Sequence, residues 1–177
     1  MKPRMSKQRS PFLYLAIVLI VSVAGYIIWF NFFQPEPSDE IGINFGNRIL
    51  DQEIAGIETG SVKFSDYEGS ILVIDFMAPW CAPCKDQIPI LHEVDSIPGV
   101  EVITINVDPN YNMTFLQGFG EEEGIHWFFG HAPFTALDFE VSAIPTVIVV
   151  DQEGVIVYRG YFTGAKDFER VLSPLLG

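Results

Sequence analysis

A chain of 177 residues has room for one domain of ordinary size and an appendage. Its formal charge of -13, from 23 acidic and 10 basic residues, argues against a nucleic-acid partner, which calls for a basic surface. Two cysteines and three scattered histidines, His92, His126 and His131, fall short of the roughly four ligands and the ligand spacing of a zinc site.

Residues 11–33 carry no charge over 23 positions, enough at ~1.5 Å per residue to cross a hydrocarbon core of ~30 Å. Lys2, Arg4, Lys7 and Arg9 precede this run, and Glu36, Asp39 and Glu40 follow it. The positive-inside rule then leaves residues 1–10 in the cytoplasm and places everything after Gln34 outside. Trp29, Phe30, Phe32 and Phe33 would sit near the outer interface. Cleavage after Ser22-Val23-Ala24 is the rival reading, but it would leave Gly25 to Phe30 as an exposed apolar tail, and the run exceeds the ~7 to 15 residues of a signal-peptide core. Beyond residue 34 lie all 23 acids and only six of the Lys and Arg, a net charge of about -17, which suits a basic client or simply a soluble surface.

Residues 34–40, with Pro35, Pro37 and Ser38, read as a semi-rigid spacer, and 41–177 as the folded domain. Within it, Ile71–Met77 is apolar and β-rich, as a strand covered on both faces should be. Ala82–Ser96 has helical spacing, with Ile88, Leu91 and Val94 on one face and Pro89 inside as a source of a kink. Val100–Val107 reads as a strand parallel to the first. Asn112–Glu123 reads as a helix ending at Gly124, and Thr146–Val150 with Val155–Tyr158 as a β-hairpin. Lys166–Leu176 closes the chain as an amphipathic helix, with Phe168, Val171, Leu172 and Leu175 inward.

Between the first strand and helix stands Trp80-Cys81-Ala82-Pro83-Cys84-Lys85, which holds both cysteines. A strand that delivers a C-x-x-C pair onto the first turn of a helix places the first sulfur beside unpaired N–H groups and a partial positive charge. Both favour a thiolate, so Cys81 is the candidate nucleophile and Cys84 the resolving thiol. Pro83 lacks a donor that the first turn does not need. An inert staple is a poor alternative, because so short a loop restricts the unfolded chain little. Asp75, inside an apolar strand, costs several kcal/mol unless neutralised or employed. A buried carboxyl also has its pKa raised into the range useful for moving protons; the alternative is a partly solvated acid at the strand end. The segment His126-Trp127-Phe128-Phe129-Gly130-His131-Ala132-Pro133-Phe134 reads either as an apolar lip beside Cys81 or as a strand and turn whose rings are core, the commoner fate of clustered aromatics. His92 is expected to face solvent.

From Ile71 to Gly160 the chain resembles the thioredoxin superfamily, most of all its membrane-anchored, extracytoplasmic TlpA-like or ResA-like branch. The resemblance rests on Asp75-Phe76, Trp80-Cys81-x-x-Cys84-Lys85, Pro89 and Ile144-Pro145-Thr146. It implies an α/β, thioredoxin-like fold, a central mixed β-sheet flanked by helices, here with an N-terminal transmembrane helix, and an N-terminal hairpin ending near Ser61–Gly69. It implies a cis peptide before Pro145, which with Ile144 would pair with substrate main chain beside the disulfide, and substrate-side roles for Trp80, Thr146 and Gly160. Asp75 would deprotonate Cys84; the lysine that accompanies this acid in many thioredoxins aligns here with Thr104. The activity implied is a thiol–disulfide oxidoreductase that needs no cofactor or metal beyond the redox-active Cys81–Cys84 pair. Oxidant members commonly carry a histidine between the cysteines; Ala82-Pro83 lacks it, which favours a reductant. Expected partners are exported disulfide or thiol proteins, as in cytochrome c maturation, a membrane thiol-electron transporter, and the bilayer through residues 11–33. The competing reading is a thioredoxin-like metallochaperone or chaperone module with the cysteines as ligands. Copper-chaperone relatives carry C-x3-C, so a haem or copper role for His126 and His131 fits less well.

Overall fold

The computed structural model describes residues 11–32, 38–58 and 60–177. Two units result, 1–36 and 37–177. The first contains one helix, α1 (Pro11–Phe32), free of acidic residues in its first turn and basic residues in its last. Its described side chains run from Tyr14 to Ile27, and among the described residues no helix is long and apolar enough to cross a membrane. Residues 1–10, Phe33 and residues 34–37 of the expected spacer lie outside the described residues, as do the side chains of Trp29, Phe30 and Phe32.

The second unit opens with β1 (Ser38–Gly42), so Ser38–Glu40 belong to a strand where a spacer was expected, pairing with β2 (Asn47–Ile49). β3 (Glu53–Ala55) and β4 (Ser61–Lys63) form the N-terminal hairpin, followed by a 3-10 turn over Phe64–Tyr67. β5 (Ile71–Met77) is the middle of a five-stranded mixed sheet. Helix α2 (Ala82–Asp95) leads to β6 (Val100–Asn106), parallel to β5, and α3 (Met113–Glu123) leads to β7 (Phe128–His131), parallel to β6. After α4 (Pro133–Asp138) the chain returns as β8 (Thr146–Val150), antiparallel to β5, then β9 (Ile156–Gly160) and α5 (Ala165–Leu176). The sheet order is β7-β6-β5-β8-β9, with Asn112 and Gly124 (φ 71°) capping α3. This is the thioredoxin-like α/β arrangement.

Strand periodicity decides what lies on each face. Leu72, Ile74 and Phe76 pack with Ile103, Ile105, Phe139 and Ile148 on one side. Ile71 and Val73 pack with Leu91, Val94 and Phe168 on the other, beneath α2 and α5. All seven residues of β5 are buried, Asp75 among them, and its place in the alternation turns it towards α2. Pro89 lies inside α2, which runs unbroken past it.

The β3–β4 hairpin is fastened to the sheet edge by the Gly56–Gly130 bridge and by the Ile57 N–H donating to Phe129 O at 2.9 Å. A Cβ on Gly130 would collide with the Ile54 side chain and sit 3.2 Å from the Ala55 carbonyl oxygen. Gly130→Ala is therefore expected to lower unfolding free energy by about 1 to 3 kcal/mol in urea melts; an unchanged midpoint would show that the hairpin does not press on this strand.

Candidate redox site at the mouth of helix α2

Cys81 caps α2 and Cys84 lies in its first turn, and the two sulfurs are bonded to each other. The Cys84 N–H donates to Cys81 Sγ at 3.2 Å, and the N–H groups of Cys84 and Lys85 reach Cys81 O at 3.1 and 3.2 Å. Cys81 is 3% exposed and Cys84 0%. Only Cys81 borders a groove of about 410 Å³, whose other walls include Trp80, Pro83, Val107, Val141 and Ile144. A substrate sulfur therefore meets Cys81 first, and both cysteines pack on the cluster of Met77, Ile88, Leu116, Phe119 and Phe129.

The loop opposite is Val141–Pro145, with a cis peptide between Ile144 and Pro145. Pro145 is buried and Ile144 half-buried at the groove wall. Trp80 is 64% exposed, yet its indole N–H donates to Asp108 Oδ2 at 2.7 Å. The Asn110 backbone N–H, chiefly, holds the Asp108 carboxyl below its usual range; the Trp80 and Asn110 side chains and His131 act the same way, against a smaller effect of burial. Thr146 and Gly160 do not line the Cys81 groove. They border a second depression of about 320 Å³ that shares Ser142 with it. Thr146 Oγ1 donates to Ala143 O at 2.6 Å, bracing the proline loop. A Cβ on Gly160 would strike the Tyr158 hydroxyl, so this glycine makes room for the chain's own tyrosine.

The aromatic segment is mostly core. Phe129 is buried under the disulfide, Phe128 and Trp127 are half-buried, and the Trp127 indole N–H donates to Thr104 Oγ1 at 2.9 Å. Phe134 alone among these rings is open, at 80%. Neither His126 nor His131 lines the groove. His126 Nε2 lies 2.9 Å from Asp95 Oδ2, and His131 Nδ1 accepts from Asn106 Nδ2 at 2.8 Å. His92, expected to face solvent, is half-buried: it stacks on His126 with ring centroids 5.1 Å apart and meets Trp127 edge-on. The close of α3 brings a ring partner to that side of α2, which helix periodicity does not disclose. Among the described residues no group of three or more His, Cys, Asp or Glu is placed to hold a metal ion.

Asp75 is fully buried on the α2 side of β5, opposite Thr104 of β6. Burial, chiefly, raises its carboxyl to about 7, while the Gln87 amide and the Thr104 hydroxyl pull the other way. Gln87 Nε2 donates to Oδ1 at 2.9 Å; Thr104 stays short of hydrogen-bond geometry, and Oδ2 has no partner. Sequence reading overlooked Gln87. Its signal was positional, since three residues beyond Cys84 and four before Leu91 is the buried side of α2.

A carboxyl whose pKa is higher in the folded chain binds its proton more tightly there, so its contribution to stability is whole below its unfolded value of 3.8 and is lost as pH rises through about 7. Asp75→Asn, which cannot ionise, is therefore expected to gain stability over the parent as pH rises from about 4 to 8, by up to about 4 kcal/mol. Urea melts at several pH values measure it, and a constant difference would mean that Asp75 does not titrate in that window.

The AhpC/TSA family profile matches residues 45–159. The thiol-disulfide oxidoreductase ResA of Geobacillus kaustophilus is 26% identical over 180 residues, covering 97% of this chain and 99% of that protein. The thioredoxin-like protein YneN of Bacillus subtilis is 24% identical, covering 90% and 96%. Among solved structures, a putative thiol:disulfide interchange protein DsbE from Chlorobium tepidum superposes with a TM-score of 0.69 at 25% identity, over 77% of this chain and all of that one. A DsbF homologue from Corynebacterium diphtheriae gives 0.67 at 28% identity, over 80% and 96%. With a profile spanning well over half its length and a C-x-x-C pair at the mouth of α2, the chain belongs to the AhpC/TSA family, with a thioredoxin-like fold that is consistent with the TlpA/ResA kind.

Proposed function

We propose that the protein is a membrane-tethered thiol–disulfide oxidoreductase working outside the cytoplasm, in the reducing direction. The observation that carries the enzyme class is the Cys81–Cys84 pair, with Cys81 at the groove and Cys84 behind it. In the reduced enzyme the Cys81 thiolate attacks a client disulfide: the Cys81–client S–S bond forms, the client S–S bond breaks, and the departing client sulfur leaves with the electron pair and takes a proton. Cys84 then gives its proton to Asp75 and attacks Cys81 Sγ. The Cys81–Cys84 bond forms, the client is released as its second thiol, and two electrons have passed to the client. Val141–Ile144 flank the captured segment, Trp80 is held at the groove by Asp108, and Pro145 backs the loop.

Tethering is supported by the uncharged run 11–33, the basic residues before it and the acidic residues after it. An outside location suits a dithiol kept reduced by a dedicated membrane thiol-electron transporter. Exported thiol proteins, including apocytochrome c, are the clients this reading favours, and the relative named thiol-disulfide oxidoreductase ResA supports the enzyme class.

Direction is read by equilibrating the full-length protein in detergent with thiol buffers of defined potential. A midpoint more negative than about -200 mV is expected, whereas one near about -120 mV, the range of strong oxidants, would reverse the direction. Cys81→Ser should reduce insulin disulfide cleavage by at least about 100-fold, and Cys84→Ser should accumulate a Cys81-linked mixed disulfide visible on non-reducing gels. Turnover that survives Cys81→Ser would remove the proposed nucleophile.

A further inference from the structure

The buried amide of Gln87 joins two groups with opposite needs. It lies on the face of α2 that packs against β5, one turn beyond Cys84. Its Nε2 donates to Asp75 Oδ1 at 2.9 Å, and its Oε1 accepts from the Thr163 backbone N–H at 2.8 Å, in the loop between β9 and α5. A side-chain amide can turn over with little change of shape, so its orientation follows from its partners. Here one partner dictates it. The Thr163 N–H can only donate and so requires the amide oxygen, which leaves the amide nitrogen facing Asp75 whatever the charge of that acid.

Two consequences follow for the carboxyl. A fixed donor favours its ionised form and opposes the effect of burial. It also distinguishes the two oxygens: Oδ1 is occupied by the Gln87 N–H, so a proton on Asp75 belongs on Oδ2, the oxygen without a hydrogen-bond partner. Of the remaining surroundings only the Thr104 hydroxyl acts on the carboxyl, in the same sense as Gln87 and less strongly. On β5 the neighbours of Asp75 are Ile74 and Phe76; β6 presents Thr104 across the pairing and β8 presents Val147; α2 presents Gln87, with Cys84 one turn before it.

We propose that Gln87 is a positioning residue for the exchange reaction: clamped by the Thr163 N–H, its amide holds Oδ1 of Asp75 and reserves Oδ2 for the proton that leaves Cys84. This rests on the reading of Asp75 as the base for Cys84. The proton passes from Cys84 Sγ to Asp75 Oδ2, the new thiolate attacks Cys81 Sγ, and the sulfur bound there departs with its electron pair.

The test uses reduced full-length protein in detergent and the chromogenic disulfide 5,5′-dithiobis(2-nitrobenzoate). Capture of Cys81 releases one coloured thiolate and attack by Cys84 releases a second, so stopped-flow absorbance separates the two steps; Cys84→Ser identifies the second phase by its loss. Its pH midpoint between about pH 5.5 and 9 reports the base. Gln87→Leu removes the donor, and the midpoint should rise by about one pH unit or more, with a loss of about tenfold in second-phase rate at neutral pH. Gln87→Glu keeps the shape but sets a second carboxyl beside Asp75, and should raise the midpoint further; it decides the matter should Gln87→Leu fail to fold. Wild-type midpoints in folded Gln87 variants, while Asp75→Asn flattens the profile, would overturn the clamp alone. A wild-type profile in Asp75→Asn would overturn the base, and the clamp with it.

Discussion

A strand buried on both faces offers a carboxylate no route to water, and β5 is such a strand. Its period-two alternation puts Ile71, Val73 and Asp75 on one side, under α2, so the acid shares a face with residues that pack an apolar core. Ionised and unpaired, it would cost several kcal/mol. The fold meets this with one amide, Gln87, and with a carboxyl that stays protonated up to about neutrality. The same helix face carries Cys84. The least comfortable residue of the sheet is thus bonded to the helix face that carries the less accessible of the two sulfurs, which is why the proposed mechanism gives it the part of proton acceptor.

Everything nearer the surface serves the other sulfur. The strand ends at Met77, three residues (Ala78, Pro79 and Trp80) carry the chain to Cys81, and α2 begins with its first N–H groups gathered about that residue. The cis-proline loop supplies the opposite wall, braced by Thr146. Lys85, whose charge also favours a thiolate, is drawn aside: its Nζ lies 3.2 Å from Glu123 and over the Phe119 ring, tying α2 to α3. The helix mouth, more than any cationic side chain, is left to polarise Cys81.

The strands and helices around the site were legible because local patterns dictated them. Ile71–Met77 is a continuous apolar run, Asn112 and Gly124 cap a helix, and Asp151–Gly154 turns a hairpin. Asp75 stood out as a charge in an apolar run, and Thr104 lay where alignment put it, across the β5–β6 pairing. Pairings between elements distant in sequence were harder to read. Gln87 looks like any helical glutamine until Thr163, 76 positions away, is seen to hold its oxygen. His92 becomes a stacked ring only through His126. Thr146 and Gly160, on the paired strands β8 and β9, open onto a second depression and not onto the groove at Cys81, a placement set by the pairing of distant segments. Ser38–Glu40 pair as a strand although their composition suits a spacer.

The central claim is that the helix mouth makes Cys81 a thiolate ahead of an ordinary cysteine. Iodoacetamide alkylation of the fully reduced protein, followed as a function of pH with the modified residue located by mass spectrometry, measures this directly. The account expects label on Cys81 first, with an inflection at least about one unit below the value near 8.5 of a free thiol. An inflection at that free-thiol value, or label shared equally with Cys84, would contradict it.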